Sequence, residues 1–475
     1  MNDVCHLVFD LKSVTIRYMP LNKGNKIQTI KYSPPPPNLP TLGKVDPSQV
    51  AFIGRTNYVA ALEEKRFVFG INQNDRRRHI YIVGKSGVGK SKLEEVMIRQ
   101  DIAYGRGVCV IDPYGELVEE LLHFIPRNRI NDVCVFNPED VDFPVSFNPF
   151  SKVDPTFRHQ FAQSIVEILQ KQFGNDWNPR IEHVIRFSVL ALLDYENATM
   201  RGMIRILIDN DYRNKVIENI SDDMVRHFWK EEFEEWSKKF DTEVIIPIIN
   251  KLWQFLSNPM LVNIFGQKEN KIDIEKIMNN NKILLINLAK GKIGDEISSF
   301  LGTLFMTKIK QAGMSRAKLN PTERDDFYLY IDEFNNIITD TFENILSEAR
   351  KYGINLTVAH QYIGQLSQKI EQAVLGNIGT IILFRVGGDD ATKLRSEFAP
   401  VFDVKDMINL GTGEFYIKMI INGESYDPFS SETLEVLPPT HSSYKEEVLS
   451  SSRRLYAKTE EEASKIIGEE ESIMR

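Results

Sequence analysis

The sequence predicts an α/β fold in which a mostly parallel sheet is interrupted by an all-helical insertion. Strand patterns alternate with amphipathic helices from about residue 50 to 150, and the alternation resumes at residue 282. Between these two parts, residues 155–270 show almost no strand pattern. Alternating strands and helices build parallel sheets, because each helix carries the chain back across one face of the sheet.

The predicted strands are short apolar runs, several of which end in polar residues. The first part contains HIYIV (79–83), GVCVID (107–112) and DVCVF (132–136). The second part contains KILLINLA (282–289), FYLYID (327–332), INLTVAH (354–360) and TIILFRV (380–386). Because both groups have the same rhythm, we interpret them as one sheet.

The segment between the two groups has helical periodicity. In WKEEFEEWSKKF (229–240), Trp229, Phe233, Trp236 and Phe240 fall on one helix face, with the charges on the other. All four tryptophans of the chain lie in this segment. We interpret them as the core of a small helical domain, and a base-stacking role for one of them stays open.

The two ends of the chain differ from the middle. The first 32 residues alternate in a way that suggests short strands, and SPPPPNLP (33–40) is a stiff, extended spacer. From about residue 436 the chain is polar, which predicts a solvated helix or a disordered tail. The predicted parts are an N-terminal β-rich segment with its Pro-rich linker (1–50), the first part of the sheet domain (51–154), the all-α insertion (155–270), the second part of the sheet domain (271–435) and a polar, acidic tail (436–475).

Charge, cysteine content and hydropathy exclude several classes of protein. With 58 Lys and Arg against 66 Asp and Glu, the net charge of −8 disfavours a protein that coats nucleic acid but leaves room for a narrow basic channel. Three widely spaced cysteines fit a reducing cytosol and form no metal-binding pattern. No apolar run approaches the roughly 18 residues of a spanning helix, and no secretory signal is visible. We therefore expect a cytoplasmic protein without an integral membrane segment.

The strongest motif is GKSGVGKS at 84–91, which matches the P-loop pattern in full. Its glycines permit backbone angles that are closed to other residues, so successive N–H groups can point at phosphates. Lys90 would bridge the β- and γ-phosphates of ATP, and Ser91 would place a hydroxyl on Mg²⁺. The predicted nucleotide-binding residues of the loop are Gly84, Lys85, Ser86, Gly87, Val88, Gly89, Lys90 and Ser91.

A second motif is FYLYIDE (327–333), an apolar strand that ends in two carboxylates. Next to a P-loop this is the Walker B arrangement, in which Asp332 would hold the Mg²⁺ shell. Glu333 would orient or deprotonate the attacking water. A glutamate at this position favours a hydrolase over a nucleoside kinase, because only the hydrolase needs to activate water.

Two further polar residues follow strands of the same predicted sheet. Asp112 ends GVCVID, and Gln361 follows INLTVAH. Ligands of open α/β sheets bind at the carboxyl ends of the strands. We therefore assign Asp112 to nucleotide binding and Gln361 to contact with the γ-phosphate or the water, with a capping or turn residue as the alternative for each.

With these residues assembled, the chain resembles the HerA/FtsK superfamily of P-loop motor ATPases, and within it the coupling ATPases of type IV secretion and conjugation (TraG/TraD-like). The resemblance covers residues from about 65 to 420. The stretches that carry it are FGINQNDRRRHIYIVGKSGVGKS (69–91), VIDPYGEL (110–117), NPRIEHVIRFSVLALL (178–193), YLYIDEF (328–334), ILSEARKYGINLTVAHQY (345–362) and, more weakly, GTIILFRVGGDDA (379–391). It implies a RecA-like P-loop NTPase fold with an all-α domain inserted after the third strand.

The resemblance also implies a homo-hexameric ring in which the neighbouring subunit supplies an arginine to each ATP site. Arg350, in SEARKYG, matches the position of that arginine finger, which makes it a candidate catalytic residue. The alternative for Arg350 is a solvated arginine near a helix end. Arg78 is a further candidate for contact across the interface, with a charged turn before a strand as the alternative, and Arg385, at the end of a strand, is a third candidate. Arg180 matches a recurring motif of the family without an assigned role.

The function that this resemblance implies is an ATP-driven motor that moves DNA through the centre of a ring. Lys290 and Lys292 would line the pore, or would be ordinary loop lysines. Components of a type IV secretion system or a relaxosome would be partners, at the inner face of the membrane. The alternatives are a ring that recruits or secretes protein, which DNA would not stimulate, and a nucleotide-dependent scaffold, which Glu333 and Arg350 disfavour.

This chain departs from the coupling proteins in two respects. Membrane coupling proteins carry transmembrane helices ahead of the ATPase, and the sequence shows none. Lys92 follows Ser91 where such motors usually have threonine, outside the expected phosphate cradle.

Overall fold

A computed structural model describes residues 30–58, 66–338, 342–439 and 442–473. The short strands that the sequence predicts before residue 30 lie outside these residues. Within them, no helix combines the length and apolar character that a membrane crossing requires.

Eleven strands of the described chain form one sheet, and two more form a separate pair. They are β1 (Val50–Thr56), β2 (Val68–Asn72), β3 (Ile80–Val83), β4 (Gly107–Asp112), β5 (Val133–Phe136), β6 (Ile283–Asn287), β7 (Phe327–Ile331), β8 (Ile354–His360), β9 (Thr380–Leu383), β10 (Glu414–Lys418), β11 (Ile420–Ile421), β12 (Glu424–Ser425) and β13 (Phe429–Thr433). The order in the sheet is β2-β1-β13-β10-β9-β3-β8-β7-β4-β6-β5, and β11 pairs with β12.

The seven strands from β9 to β5 are parallel, which confirms the mostly parallel sheet. Their residues are buried almost throughout, as expected for strands covered by helices on both faces. In β3, Ile80 and Ile82 face one core, and Tyr81 and Val83 face the other. The four strands β10, β13, β1 and β2 extend the sheet in antiparallel fashion. This extension was not predicted from the sequence.

Helices follow most of the strands, and nine of the described helices belong to one long excursion between β5 and β6. The described helices are α1 (Gln73–Arg76), α2 (Lys90–Ala103), α3 (Glu116–Leu122), α4 (Arg158–Phe173), α5 (Pro179–Leu193), α6 (Gly202–Ile208), α7 (Asn210–Asn219), α8 (Asp223–His227), α9 (Phe233–Phe240), α10 (Ile246–Leu256), α11 (Pro259–Phe265), α12 (Ile274–Asn279), α13 (Lys290–Ile293), α14 (Asp295–Ser315), α15 (Phe342–Glu348), α16 (Gln368–Asn377), α17 (Gly388–Phe398), α18 (Val404–Ile408), α19 (Lys445–Tyr456) and α20 (Glu460–Ile473).

The helical insertion comprises α4 to α12, so its all-α character agrees with the sequence pattern. Its core contains Trp229, which is 3% exposed and donates a hydrogen bond to the Phe187 carbonyl at 3.2 Å. Trp236 stacks on His183 with ring centroids 5.1 Å apart. Trp253 is 41% exposed and is the tryptophan least engaged in this core.

The segment after β13 crosses one face of the molecule to reach β5 at the far end of the sheet. On the way, Arg99 of α2 donates a hydrogen bond to the Leu437 carbonyl at 2.8 Å. Helix α19 then packs on β5, where the Val135 N–H donates to the Ser452 hydroxyl at 2.8 Å. This segment is helical rather than disordered, and its helices are not fully solvated, because Val448 of α19 and Ala463 of α20 are fully buried. The charged runs around these residues conceal the apolar face in the sequence.

Candidate active site

The predicted site residues converge at one edge of the sheet. Strands β3, β8, β7 and β4 are neighbours in that order and run parallel. Their carboxyl ends therefore lie side by side and carry the P-loop, Gln361, the Asp332–Glu333 pair and Asp112, respectively. This is the edge at which open α/β sheets bind ligands.

The P-loop needs glycine at three positions for two different reasons. Gly87 and Gly89 have φ of +73° and +118°, a region that side chains strongly disfavour. At Gly84, a Cβ atom would lie 2.5 Å from the Cβ of Phe384. The loop is tied to the next strand, since the Lys85 N–H donates to the Arg385 carbonyl at 2.9 Å. Helix α2 begins at Lys90, so its amino end points into the loop.

Lys90 lies inside the loop and is buried. Its ammonium group donates hydrogen bonds to the carbonyls of Gly84 at 2.8 Å and Lys85 at 3.3 Å. The same nitrogen is 3.9 Å from the Glu333 carboxylate. A phosphate group in the loop would therefore meet a cation that is already positioned.

Ser91 and Asp332 together offer a site for Mg²⁺. The Ser91 hydroxyl donates to the Asp332 carboxylate at 3.4 Å. Burial raises the pKa of Asp332 to about 7, and the neighbouring charges of Glu333 and Asp112 act in the same direction. A cation would relieve this accumulation of negative charge, and hydroxyl and carboxylate oxygens are ligands that Mg²⁺ prefers. The residues present thus fit the metal ion.

Glu333 has an unusual backbone conformation. Its φ and ψ are +44° and +48°, in the left-handed region where a non-glycine residue is strained. Its N–H donates to the Asp332 carboxylate at 2.9 Å. Gln361 donates hydrogen bonds to the Glu333 carboxylate from its side chain and its backbone, while burial raises the pKa of Glu333. A carboxylate with a raised pKa, held beside a phosphate-binding lysine, can serve as a general base.

Asp112 lies at the same edge, but its carboxylate oxygens are engaged within the chain. They accept hydrogen bonds from the N–H groups of Tyr114 at 2.9 Å and Val118 at 3.0 Å. These contacts cap the amino end of α3, as the alternative interpretation of this residue expects. A direct role in nucleotide binding stays a prediction.

The three candidate arginines lie at different edges of the sheet. Arg350 is exposed and precedes β8, whose seven residues separate it from Gln361 by about 20 Å. Arg78 precedes β3 at the same amino edge and donates to the Gly423 carbonyl at 3.5 Å. Arg385 follows β9 beside the P-loop. Of these, Arg350 and Arg78 cannot reach the P-loop of their own subunit.

Lys290 and Lys292 follow β6 at the carboxyl edge. The Lys290 ammonium lies 4.5 Å from the ring centre of Tyr114, which is 43% exposed. Lys292 forms an ion pair with Glu139 at 2.9 Å. Lys290 is close enough for its charge to lower the pKa of Glu333, whereas the ion pair of Lys292 is with Glu139. A pore-lining role for either stays a prediction.

Arg180 is on the surface of the helical insertion. It pairs with Glu243 at 2.8 Å and lies 4.2 Å from the ring centre of Phe240. These contacts give it no link to the catalytic edge.

Two parts of the site were not predicted from the sequence. Glu94, one helical turn after Lys90, is fully buried, and burial together with Asp332 raises its pKa well above the usual value. The turn before β10 supports the P-loop, since the Gly413 N–H donates to the Val88 carbonyl at 2.9 Å. Helical spacing from Lys90 could have indicated Glu94, whereas only the fold brings Gly413 to the loop.

Comparisons with known proteins agree with this fold. A family described as the type IV secretion-system coupling protein DNA-binding domain matches residues 68–413. The plasmid coupling protein TrwB in complex with the GTP analogue GDPNP is 15% identical, with a TM-score of 0.57 over 79% of this chain and 90% of that one. TrwB with ADP and Mg²⁺ is 14% identical, with a TM-score of 0.56 over 78% and 89%. VirB4 of Thermoanaerobacter pseudethanolicus is 13% identical, with a TM-score of 0.50 over 78% and 91%.

The fold and the site together define a RecA-like P-loop ATPase, whose site residues fit ATP and Mg²⁺. Within that class, the family match covers most of the chain. The protein belongs to the coupling-protein family of type IV secretion systems. A search of curated proteins finds no match.

Proposed function

We propose that the protein is an ATP-driven motor that moves DNA through a homo-hexameric ring. The observation that carries this proposal is the position of Arg350, exposed at the edge of the sheet opposite the P-loop. An arginine there can complete an ATP site only in a neighbouring subunit. The family description, a coupling-protein DNA-binding domain, supports DNA as the substrate.

The proposed hydrolysis uses groups that the fold already holds. Lys90 would neutralise the β- and γ-phosphates, and Glu333, oriented by Gln361, would accept the proton of the attacking water. Mg²⁺, held by Ser91 and Asp332, would supply charge neutralisation at the phosphates. Arg350 of the neighbouring subunit would stabilise the transition-state charge, worth about 10³–10⁵ in rate.

The proposal extends to location and partners. Coupling proteins belong to type IV secretion, so we place the ring at the inner face of the membrane, with secretion or relaxosome components as partners. Lys290 and Lys292 would contribute sequence-independent phosphate contacts from the carboxyl edge.

The deciding experiment measures ATP hydrolysis with and without single- and double-stranded DNA, at two salt concentrations. We expect stimulation by at least one polymer, weaker at the higher salt because phosphate contacts release counterions. Negative-stain images with ATP should show rings. Unstimulated hydrolysis with either polymer would favour the alternative, a ring that handles protein.

A further inference from the structure

A large cavity of the described chain lies far along the sequence from the P-loop, between helices α19 and α20. Its volume is about 790 Å³. Five cationic side chains line it, and we call this feature the C-terminal groove: Lys271, Arg453, Arg454, Lys458 and Lys465. One acidic side chain, Glu462, also lines it. Cations outnumber carboxylates along this lining, although Arg453 and Lys458 are paired with Asp140 and Glu269.

Several of these cations are held in place by the surrounding structure. Arg453 forms a two-point contact with Asp140, at 2.8 and 3.0 Å, and lies 4.6 Å from the ring centre of Phe143. Lys458 pairs with Glu269 at 2.9 Å. These contacts fix the direction of the charges, so an anionic ligand would lose little side-chain entropy on binding.

Arg454 differs from its neighbours. It is exposed, and no side-chain hydrogen bond or ion pair joins it to another residue in the described part of the chain. Glu462, by contrast, is used in the cap of α20, where it accepts from the Thr459 N–H at 3.1 Å. The groove therefore presents one cation that has no ion pair among the described residues, while the carboxylate of Glu462 is held in the helix cap and keeps its charge.

The groove continues toward the catalytic edge of the sheet. A second cavity of about 250 Å³ shares Phe143 and Arg453 with it. That cavity is lined by Asn287, at the carboxyl end of β6, by Asn137, just after β5, and by the carboxylates of Glu119, Glu139 and Asp140. Lys292 stands beside it, paired with Glu139 of its lining.

We propose that the C-terminal groove binds the phosphodiester backbone of DNA that passes the carboxyl edge of the sheet. The inference rests on the proposed DNA motor and adds a substrate contact to it. The same groove is lined by cations and by the hydroxyl-bearing residues Ser450 and Thr459, and both kinds of group bind phosphates. Such contacts reach the backbone of the polymer and would bind it without regard to base sequence.

The test measures the affinity of the full chain for a fluorescein-labelled oligonucleotide by anisotropy, over a series of salt concentrations. Arg454→Glu should weaken binding about three- to tenfold. It should also reduce the slope of log affinity against log salt concentration by about one. Arg454→Gln should have a smaller effect in the same direction. Thermal melting of each variant checks its folding.

The matched control is Arg395→Glu, which makes the same charge change at an exposed arginine of α17. That helix follows β9, six strand spacings or about 29 Å from β5. We expect its affinity to equal that of the wild type. An unchanged affinity in Arg454→Glu would overturn the groove alone, whereas a wild type that binds no DNA would overturn the motor as well. Polyglutamate serves as a second probe in the same assay. If Arg454→Glu lost polyglutamate binding but kept DNA binding, the groove would be assigned to an acidic polypeptide instead.

Discussion

Glu333 combines a strained backbone with contacts from Lys90 and Gln361. The strain is tolerated because the N–H of Glu333 is bound to Asp332 and its side chain is enclosed. Backbone strain that surrounding contacts hold in place clusters at functional sites. At the scale of single residues, the catalytic assignment therefore rests on Glu333.

Glu333→Gln should lower the rate of ATP hydrolysis by about 10²–10⁴, because the amide cannot accept a proton from water. Nucleotide affinity should persist, since the P-loop contacts are untouched. Phosphate release and a nucleotide titration measure the two quantities. Glu447→Gln, on the exposed surface of α19, is the control. Unchanged hydrolysis in Glu333→Gln would remove the assignment of the base.

Gly84→Ala should destabilise the protein and weaken nucleotide binding. The new Cβ would lie 2.5 Å from the Cβ of Phe384, an atom too close to the backbone to swing away. Overpacking of this kind costs about 1–3 kcal/mol in the free energy of unfolding. Gly291→Ala is the control, since a Cβ at that position would meet no atom within 4 Å in the described part of the chain. Equal melting temperatures for the two variants would contradict the prediction.

At the scale of elements, strands β3 and β8 are flanked by two buried histidines, His79 just before β3 at the amino edge of the sheet and His360 at the end of β8, beside the site. His360, the last residue of β8, packs between the rings of Tyr81 and Phe334, with centroids 5.4 and 4.9 Å away. Burial lowers its pKa to about 3, and the charge of Lys90 acts in the same direction. Burial likewise lowers the pKa of His79 to about 4. Both imidazoles are therefore neutral in the fold.

The two histidines should cost the folded protein stability as the pH falls from about 6.5 toward 4, whereas the raised pKa of Asp332 acts in the opposite direction over the same range. An unfolded histidine takes up a proton near pH 6.5, whereas these two resist protonation in the fold, so acid favours unfolding. Their contribution is complete above pH 6.5. His360→Phe, which fits the same aromatic surroundings, should remove the part of this loss in the free energy of unfolding that comes from His360. Chemical unfolding at several pH values measures it, and parallel profiles for variant and wild type would contradict the explanation.

The sequence alone predicted the parallel strands and the catalytic edge, because these features are encoded locally. The P-loop spacing, the apolar run before Asp332 and the turn after β8 each carry their own signal. The antiparallel extension was missed because it depends on long-range pairing. Strand β10 pairs with both β13 and β9, and neither pairing is visible in the local sequence. Gly413 was missed for the same reason, since its contact with Val88 joins distant parts of the chain.

At the scale of the whole molecule, the separation of Arg350 from the P-loop across one sheet predicts complementation between subunits. A chain with Lys90→Ala has no working ATP site of its own, but it can still supply Arg350 to the ATP site of a neighbour. A chain with Arg350→Ala has an intact site that lacks a finger. In a ring, some sites of a mixture therefore regain both parts.

Each of these two variants alone should hydrolyse ATP far more slowly than the wild type, and their mixture should recover a measurable fraction of the activity. Phosphate release across a series of mixing ratios gives the test. The control mixes Lys90→Ala with Glu333→Gln, which both damage the same site and should not restore it. Equal activity of the two mixtures would contradict an arginine supplied in trans.

The contact between Ser452 and Val135 also bears on how the chain is made. The hydroxyl that satisfies an N–H group of edge strand β5 lies 317 residues later in the sequence. During synthesis the edge of β5 therefore remains unpaired until most of the protein has left the ribosome. Unpaired edges template aggregation. Interrupted translation products would thus be the form of this protein most in need of a chaperone.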